Sequence, residues 1–270
     1  MVRLEVIVST MNLADSDFSL VKKMNLQTDA IIINQTDHVA YNEYRYETYT
    51  IRMFSFDEKG VGLSRNNGLM RSTADICLMA DDDMVYVDGY ERIVLDAYNN
   101  APFADFILFN VAIHADNRTT QMVQHNRKLR YWERLRYGTV SFTFKRDSII
   151  KKNLFFSLLF GGGAKFGSGE DTLFLWSALR NDIKVYTDNN LLAEVYNDHS
   201  TWFRGNNDQY YFDKGALYKA ISPRFHYLFN GYIIWRTHHA YQGEHSFITL
   251  FKIMNEGATI YSTIPTNYRS

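Results

Sequence analysis

Three consecutive aspartates, Asp81, Asp82 and Asp83, follow an apolar run at residues 76–80. An apolar run of this length is typical of a buried strand, so the three carboxylates leave the sheet at one strand end. They repel one another unless a cation binds there, and hard divalent cations prefer oxygen ligands. A solvated acidic turn is the alternative, because most charge runs are only surface. The triplet indicates a divalent metal site.

A second acidic group follows a glycine-rich stretch. Glu170 and Asp171 come directly after residues 161–169, which contain five glycines. Glycines let a backbone run close to a ligand, and the dipole at a helix N-terminus favours acidic residues. Helix capping by Ser168 or Gly169 explains the same pattern without any chemistry. The two acids are therefore candidates for a site or for a helix start.

The composition narrows the class of protein. The chain has 270 residues, with 29 Lys and Arg against 30 Asp and Glu, so nucleic acid is not an expected partner. The single cysteine, Cys77, excludes an intramolecular disulfide and is expected to be a small buried residue. The first residues contain no long apolar signal segment. We expect a cytoplasmic protein, or one associated peripherally with the inner face of a membrane.

The elements that must position these groups alternate between strand and helix. This order predicts a three-layer α/β fold with a mostly parallel central sheet flanked by helices. Ligands of such sheets gather beyond the carboxyl ends of the strands, where Ser9–Thr10, Asn34–Gln35 and the aspartates fall. Candidate strands are residues 4–9, 30–33, 49–54, 76–80 and 105–113, and candidate helices are residues 15–24, 63–72, 90–98 and 171–179.

The chain beyond residue 205 has a different character. Residues 208–255 are expected to be helical, with a break at Ser222–Pro223, so we expect one domain at 1–205 and a helical C-terminal extension at 206–270 packed on it. Many of the 19 Tyr, 19 Phe and 4 Trp lie beyond residue 195. Aromatic side chains are first of all core residues, but they also suit binding of an acceptor, of lipid or of a second subunit in a homo-oligomer.

Residues 62–83 resemble the signature of glycosyltransferase family 2, which has the GT-A fold. The resemblance is carried by Ser64–Arg65–Asn66–Asn67–Gly68 and by the strand that ends in the aspartates, and it is most specific over residues 4–90. It implies a GT-A (Rossmann-like) domain with a nucleotide-sugar-binding half at 1–115 and an acceptor half at 116–205.

The same resemblance implies roles on the donor side. Asp83 matches the last acid of the DXD motif, which is the usual metal ligand, and Asp81 and Asp82 would face the ribose or a sugar hydroxyl. Ala80 stands where many relatives have the first acid, so the division of roles among the three aspartates stays open. The implied nucleotide-binding positions are Ser9, Thr10, Asn34, Gln35 and Arg65. The amides of Asn34 and Gln35 replace an acidic pair that is common in the family at the end of the second strand.

On the acceptor side, the glycine-rich stretch and its acids are similar to the Gly-Glu-Asp element of GT-A transferases. This implies that Asp171 is the general base that deprotonates the acceptor hydroxyl, and that Glu170 holds acceptor hydroxyls. A histidine after this element often completes the metal site in the family, and His199 fits by order and spacing. A structural or exposed role for His199 is the alternative.

The function implied is a metal-dependent inverting glycosyltransferase. With Mn²⁺ or Mg²⁺, it would move a sugar from a nucleotide-sugar to a glycan or lipid-linked saccharide in bacterial surface polysaccharide biosynthesis. UDP is the family's commonest nucleotide. A nucleotidyltransferase is the runner-up, but it usually has a glycine- and basic-rich loop after the first strand. A glycosidase using Asp83 and Asp171, and a non-catalytic nucleotide- or metal-binding module, are further alternatives.

Overall fold

A computed structural model of the chain describes residues 2–115, 118–120, 123–130, 137–196, 205–241, 243 and 245–266. The chain forms two compact units. The first comprises Met1–Lys59, Leu63–Phe155 and Phe174–Asp198, and it contains the sheet. The second comprises Gly60–Gly62, Phe156–Leu173 and His199–Ser270, and it contains the glycine-rich stretch and the last three helices.

The sheet is mixed but mostly parallel. Its strands are β1 (Leu4–Met11), β2 (Asp29–Thr36), β3 (Ala40–Tyr46), β4 (Tyr49–Asp57), β5 (Ile76–Asp81), β6 (Met84–Tyr86), β7 (Phe106–Ala115), β8 (Arg118–Thr120), β9 (Arg127–Lys128), β10 (Phe142–Lys145) and β11 (Val185–Tyr196). Among the described residues they pair in the order β3-β4-β2-β1-β5-β10-β7-β11-β6, with β8 beside β7 and β9 beside β11. β4, β2, β1 and β5 are parallel, and β10 runs antiparallel between β5 and β7.

The helices that flank and follow the sheet confirm the expected α/β class with a helical C-terminal part. They are α1 (Ser19–Lys23), α2 (Val61–Arg71), α3 (Tyr90–Asn100), α4 (Arg146–Lys151), α5 (Glu170–Arg180), α6 (Asp208–Ile221), α7 (His226–Thr237) and α8 (Phe247–Thr263).

The central strands contain continuous apolar runs because both faces of the sheet are covered there. Ile31, Ile32 and Ile33 of β2 are fully buried, and so are Leu78 and Met79 of β5. Cys77 is free and buried as predicted, and burial raises the pKa of its thiol to about 12.

The second unit packs α6 against α8 at backbone distance. A Cβ added at Gly215 would lie 1.9 Å from the carbonyl oxygen of Met254, and one added at Gly257 would lie 2.0 Å from that of Phe212. Only glycine permits this approach, since real Cβ atoms do not come so close to another atom. Within the part of the chain that the structure describes, no helix is long and apolar enough to cross a membrane.

Candidate functional site

Four of the nucleotide-binding positions implied by the sequence lie at neighbouring strand ends. Ser9 of β1 stands opposite Asp81 of β5, and Thr10 stands opposite Asn34 of β2. Met11, the next residue of β1, pairs with Gln35. Because these strands are parallel, their carboxyl ends meet at one edge of the sheet, which is where ligands of open α/β sheets bind.

Helix α2 brings the Ser-Arg-Asn-Asn-Gly motif to this edge. A Cβ added at Gly68 would lie 2.3 Å from Cγ2 of Ile7, so the motif's glycine lets α2 pack closely against β1. One turn earlier in the helix, the buried hydroxyl of Ser64 donates a hydrogen bond of 3.0 Å to Oγ of Ser9. The glycine and the serine thus fix the helix relative to the end of β1.

Two of the three aspartates are held by partners from other elements. Arg65 is 4% exposed and donates from Nη2 to Oδ1 of Asp81 at 3.0 Å. The Thr10 hydroxyl donates to Oδ2 of Asp82 at 2.5 Å. Arg65 therefore faces the aspartates from a buried position, and the carboxylates of Asp81 and Asp82 have fixed partners.

Asp83 is electrostatically different from an ordinary surface aspartate. Burial, followed by the charges of Asp81 and Asp82, raises the pKa of its carboxyl to about 6, while the Lys23 ammonium opposes this rise. A nearby cation stabilises the charged form of a carboxyl group whose pKa is raised by acidic neighbours. Mg²⁺ and Mn²⁺ need only one or two protein carboxylates when phosphate oxygens and water complete the shell, so these residues fit such an ion.

The second implied metal ligand, His199, lies outside the described residues. Within the described ranges, no group of three His, Cys, Asp or Glu side chains is placed to hold a metal ion. Asp81, Asp82 and Asp83, which are all described, therefore do not converge as a three-carboxylate ligand set.

Asn34 is fully buried and holds the segment that follows β1. Its Oδ1 accepts from the Leu13 amide at 3.0 Å, and its Nδ2 donates to the Leu13 carbonyl at 2.9 Å and to Oγ of Ser55 at 3.1 Å. The Ser55 hydroxyl then donates to Oδ1 of Asp15 at 2.8 Å, and Oδ2 of Asp15 lies 2.8 Å from Nε2 of His38. Asn34 therefore shapes the edge of the sheet through the loop after β1.

The sequence offered Asp15 only as a candidate helix cap and did not assign Ser55, Asp15 or His38 to the site. They are separated along the chain by up to 40 residues, and only the pairing of β4 with β2 brings Ser55 opposite Asn34. Hydrogen bonds that His38 donates to the carboxylate of Asp37, and then to that of Asp15, raise the pKa of His38. The hydrogen bond from the Ser55 hydroxyl is the main cause that lowers the pKa of Asp15.

The second unit places Glu170 and Asp171 in the first turn of α5. Oδ1 of Asp171 accepts from the Thr172 amide at 2.6 Å, and Oε2 of Glu170 accepts from the Gly169 amide at 3.2 Å. A Cβ added at Gly161, where φ is 104°, would come within 2.8 Å of the Glu170 carboxyl. The glycine-rich stretch thus wraps closely around Glu170.

Two residues of α6, Asp213 and Lys214, complete this cluster and were not found from the sequence. Oδ2 of Asp213 accepts from the Gly167 amide at 2.9 Å, and its Oδ1 accepts from Nε2 of Gln209 at 2.8 Å. Burial lowers the pKa of Lys214, while the charges of Asp171, Glu170 and Asp213 oppose this lowering. Adjacent acidic and basic residues in a helical segment are normally a solvated surface, so the sequence held no signal for them.

The sheet, its strand order and its flanking helices define an α/β fold of the GT-A-like glycosyltransferase type. Among solved structures, the chain is similar to S. aureus TarS 1–349 in complex with UDP-GlcNAc, at 11% identity and a TM-score of 0.56, covering 98% of this chain and 74% of that one. The corresponding complex with UDP gives 12% identity, a TM-score of 0.55 and coverages of 98% and 73%.

A longer TarS structure gives 11% identity and a TM-score of 0.54, and this chain spans 44% of its length. No family model matches the sequence. No curated protein matches it either. At these identities the likeness to TarS concerns the fold alone.

Proposed function

We propose that this chain is a metal-dependent inverting glycosyltransferase of the family 2 type that uses a nucleotide-sugar, with UDP as the nucleotide. The observation that carries the proposal is the meeting of Ser9, Thr10, Arg65 and the aspartates at one edge of the sheet. The fold agrees with this function, and similar solved structures hold UDP and UDP-GlcNAc. The acceptor is a glycan or lipid-linked saccharide of bacterial surface polysaccharide biosynthesis.

On the donor side, the proposal gives each residue a task. Asp83, with His199, would hold Mn²⁺ or Mg²⁺, and the bound ion would supply Lewis acidity toward the diphosphate. Thr10 and Arg65 orient Asp82 and Asp81 so that these carboxylates can accept hydrogen bonds from ribose or sugar hydroxyls. Asn34 positions the loop after β1, and Ser9 and Gln35 line the same edge.

On the acceptor side, Asp171 takes the proton of the attacking hydroxyl. The hydroxyl oxygen forms a bond to the anomeric carbon as the bond from that carbon to the diphosphate oxygen breaks, and the nucleoside diphosphate leaves with the electron pair. Attack opposite the leaving group inverts the anomeric configuration. Glu170 accepts hydrogen bonds from other acceptor hydroxyls.

The test is release of nucleoside diphosphate from a panel of nucleotide-sugars, with Mn²⁺ and with a chelator, in the presence of saccharide acceptors. Asp171→Asn should reduce turnover by about 100-fold or more while leaving the UDP-induced thermal shift unchanged. Asp83→Ala should abolish the Mn²⁺-dependent part of that shift. Asp96→Asn, which alters an exposed carboxylate of α3, is the matched control.

Three outcomes would contradict the proposal. Pyrophosphate release from a nucleoside triphosphate and a sugar phosphate would indicate a nucleotidyltransferase. UDP binding without turnover in any donor and acceptor combination would indicate a binding module. Hydrolysis of a glycan without any nucleotide-sugar would indicate a glycosidase.

A further inference from the structure

Helix α7 exposes large apolar side chains along one face. Leu228 is 72% exposed, Trp235 is 74% exposed and Tyr232 is 37% exposed. Their spacing of four and then three residues places them on a single side of the helix. We call Leu228, Tyr232 and Trp235 the apolar face of α7.

The opposite side of α7 is buried and partly polar. His226, Asn230 and Ile234 are buried, and Nδ2 of Asn230 donates to Oδ1 of Asn255 in α8 at 3.1 Å. An ordinary surface helix turns its apolar stripe to the core and its polar side to water. Helix α7 instead has apolar side chains on its exposed side as well as Ile234 on its buried side. This is typical of a helix whose exposed side contacts another apolar surface.

The charged side chains along the chain at this face are cationic. Residues 219–243 contain three Lys and Arg residues and no Asp or Glu. Arg224 and Arg236, which flank the apolar face along the chain, are both exposed. Phe225 and Tyr227, which precede Leu228, are 61% and 53% exposed. Exposed aromatic rings therefore alternate here with cations that have no carboxylate nearby in sequence.

We propose that the apolar face of α7 binds the surface of a bilayer that contains anionic lipids. Tryptophan and tyrosine are enriched at the depth of lipid headgroups, and Arg and Lys nearby are attracted to anionic headgroups. A helix of this kind lies in the interface without crossing it. A second copy of the chain fits less well, because a two-fold contact through α7 would bring Arg224 and Arg236 of one copy toward the same two cations of the other.

Co-sedimentation of the full chain with vesicles tests this proposal, which does not depend on the enzymatic function. Binding to phosphatidylcholine vesicles containing phosphatidylglycerol should exceed binding to phosphatidylcholine alone by about tenfold, and it should fall at high salt. The double variant Leu228→Ser/Trp235→Ser should lose at least about fivefold in binding to the anionic vesicles. Arg224→Gln/Arg236→Gln should reduce the difference between the two vesicle types.

The control is Val39→Ser/Phe103→Ser, since these side chains are 75% and 72% exposed and lie in the other unit. It should bind vesicles like the wild type. Thermal unfolding of each variant shows whether the fold is retained, which is expected for side chains so exposed. Equal loss in the control pair, or no preference for anionic vesicles, would overturn the proposal. So would light scattering that shows an oligomer dissociated by Leu228→Ser/Trp235→Ser.

Discussion

The hydroxyl of Thr10 lies 2.5 Å from a carboxylate oxygen of Asp82, although the two residues are 72 positions apart in the chain. Thr10 is near the end of β1, and Asp82 directly follows β5, which pairs with β1. The hydrogen bond fixes one aspartate of the triplet to the neighbouring strand. It thereby limits which carboxylates of the triplet can turn toward a ligand.

Thr10→Val tests this relationship, because it removes the hydroxyl and keeps the branched shape of the side chain. A hydrogen bond to a charged group contributes about 1.5–3 kcal/mol, and partial exposure of Asp82 brings the expected loss of unfolding free energy to about 1 kcal/mol. Urea denaturation measures this loss. The thermal shift with UDP and Mn²⁺ should also decrease, since Asp82 would no longer be held in one orientation.

The matched control is Thr36→Val at the end of β2, where the hydroxyl contacts the exposed side chains of Asp37 and His38. An exposed pair contributes little, so this variant should unfold like the wild type. Equal unfolding midpoints for Thr10→Val and Thr36→Val would contradict the role given to the Thr10 hydroxyl.

The parts of the fold that the sequence predicted best are those governed by local apolar runs. Strands β1, β2 and β5 were expected within a few residues of their observed bounds, since each is a continuous buried run. The edge strand β3 was missed, because its residues are polar or exposed and carry no such run. Its position follows from the hairpin with β4, in which Tyr46 pairs with Tyr49 across a turn where Glu47 has a φ of 54°.

The candidate site likewise contains residues that a local sequence pattern marks and residues that no such pattern marks. Residues that follow a strand directly, such as Ser9 and Asp81, could be found because the end of a parallel strand is a recognisable place. Asp15 and Asp213 act through partners distant in sequence, and no local pattern marks a carboxylate that accepts from Ser55 or from the Gly167 amide. Only the tertiary structure brings such groups together.

The pKa of His38 provides a test of the network behind the loop after β1. Hydrogen bonds that the His38 ring donates to the carboxylates of Asp37 and Asp15 raise this pKa above its usual value of 6.5. A raised histidine pKa contributes stability that is fully present below pH 6.5 and is lost as the pH rises through the folded-state pKa. Titration of His38 by NMR should therefore give a value above 6.5, and Asp37→Asn should lower it more than Asp15→Asn.

Asp88→Asn is the control for that titration, since Asp88 is hydrogen-bonded to Asn25 and Gln27 and not to His38. It should leave the His38 pKa unchanged. A His38 pKa at or below 6.5 in the wild type would mean that the contact with Asp15 does not form in solution. His38 would then not belong to the hydrogen-bond network that links Asp15, Ser55 and Asn34.

Two helical glycines in the second unit should respond oppositely to the same substitution. At Gly215 an added Cβ would be 1.9 Å from the Met254 carbonyl oxygen, whereas at Gly231 it would meet nothing within 4 Å. Gly215→Ala should destabilise the protein by about 3 kcal/mol, because α6 and α8 must move apart. Gly231→Ala should stabilise it by about 0.5–1 kcal/mol through the helix preference of alanine. Thermal and urea unfolding measure both, and similar effects at the two sites would contradict the close packing of α6 on α8.

Asp213 has the geometry of a residue that positions the proposed catalytic turn without contacting the substrate. Its carboxylate accepts from the Gly167 amide, three residues before Glu170 and four before Asp171. The proposed function assigns the base to Asp171, so a loosened Gly167 should misplace the base and lower kcat while leaving the donor KM nearly unchanged. Asp213→Ala removes the acceptor and should reduce kcat by about 10- to 100-fold.

Asp213→Asn separates positioning from charge. Its amide oxygen can still accept from Gly167, and the Gln209 side chain can turn its oxygen toward the new amide, so this variant should recover most of the activity lost in Asp213→Ala. A purely electrostatic role toward Lys214 would instead make the two variants equally impaired. If the wild type turns over and Asp213→Ala has the same kcat, only the positioning role of Asp213 is refuted. If the wild type itself shows no turnover, the glycosyltransferase assignment on which that role rests is refuted.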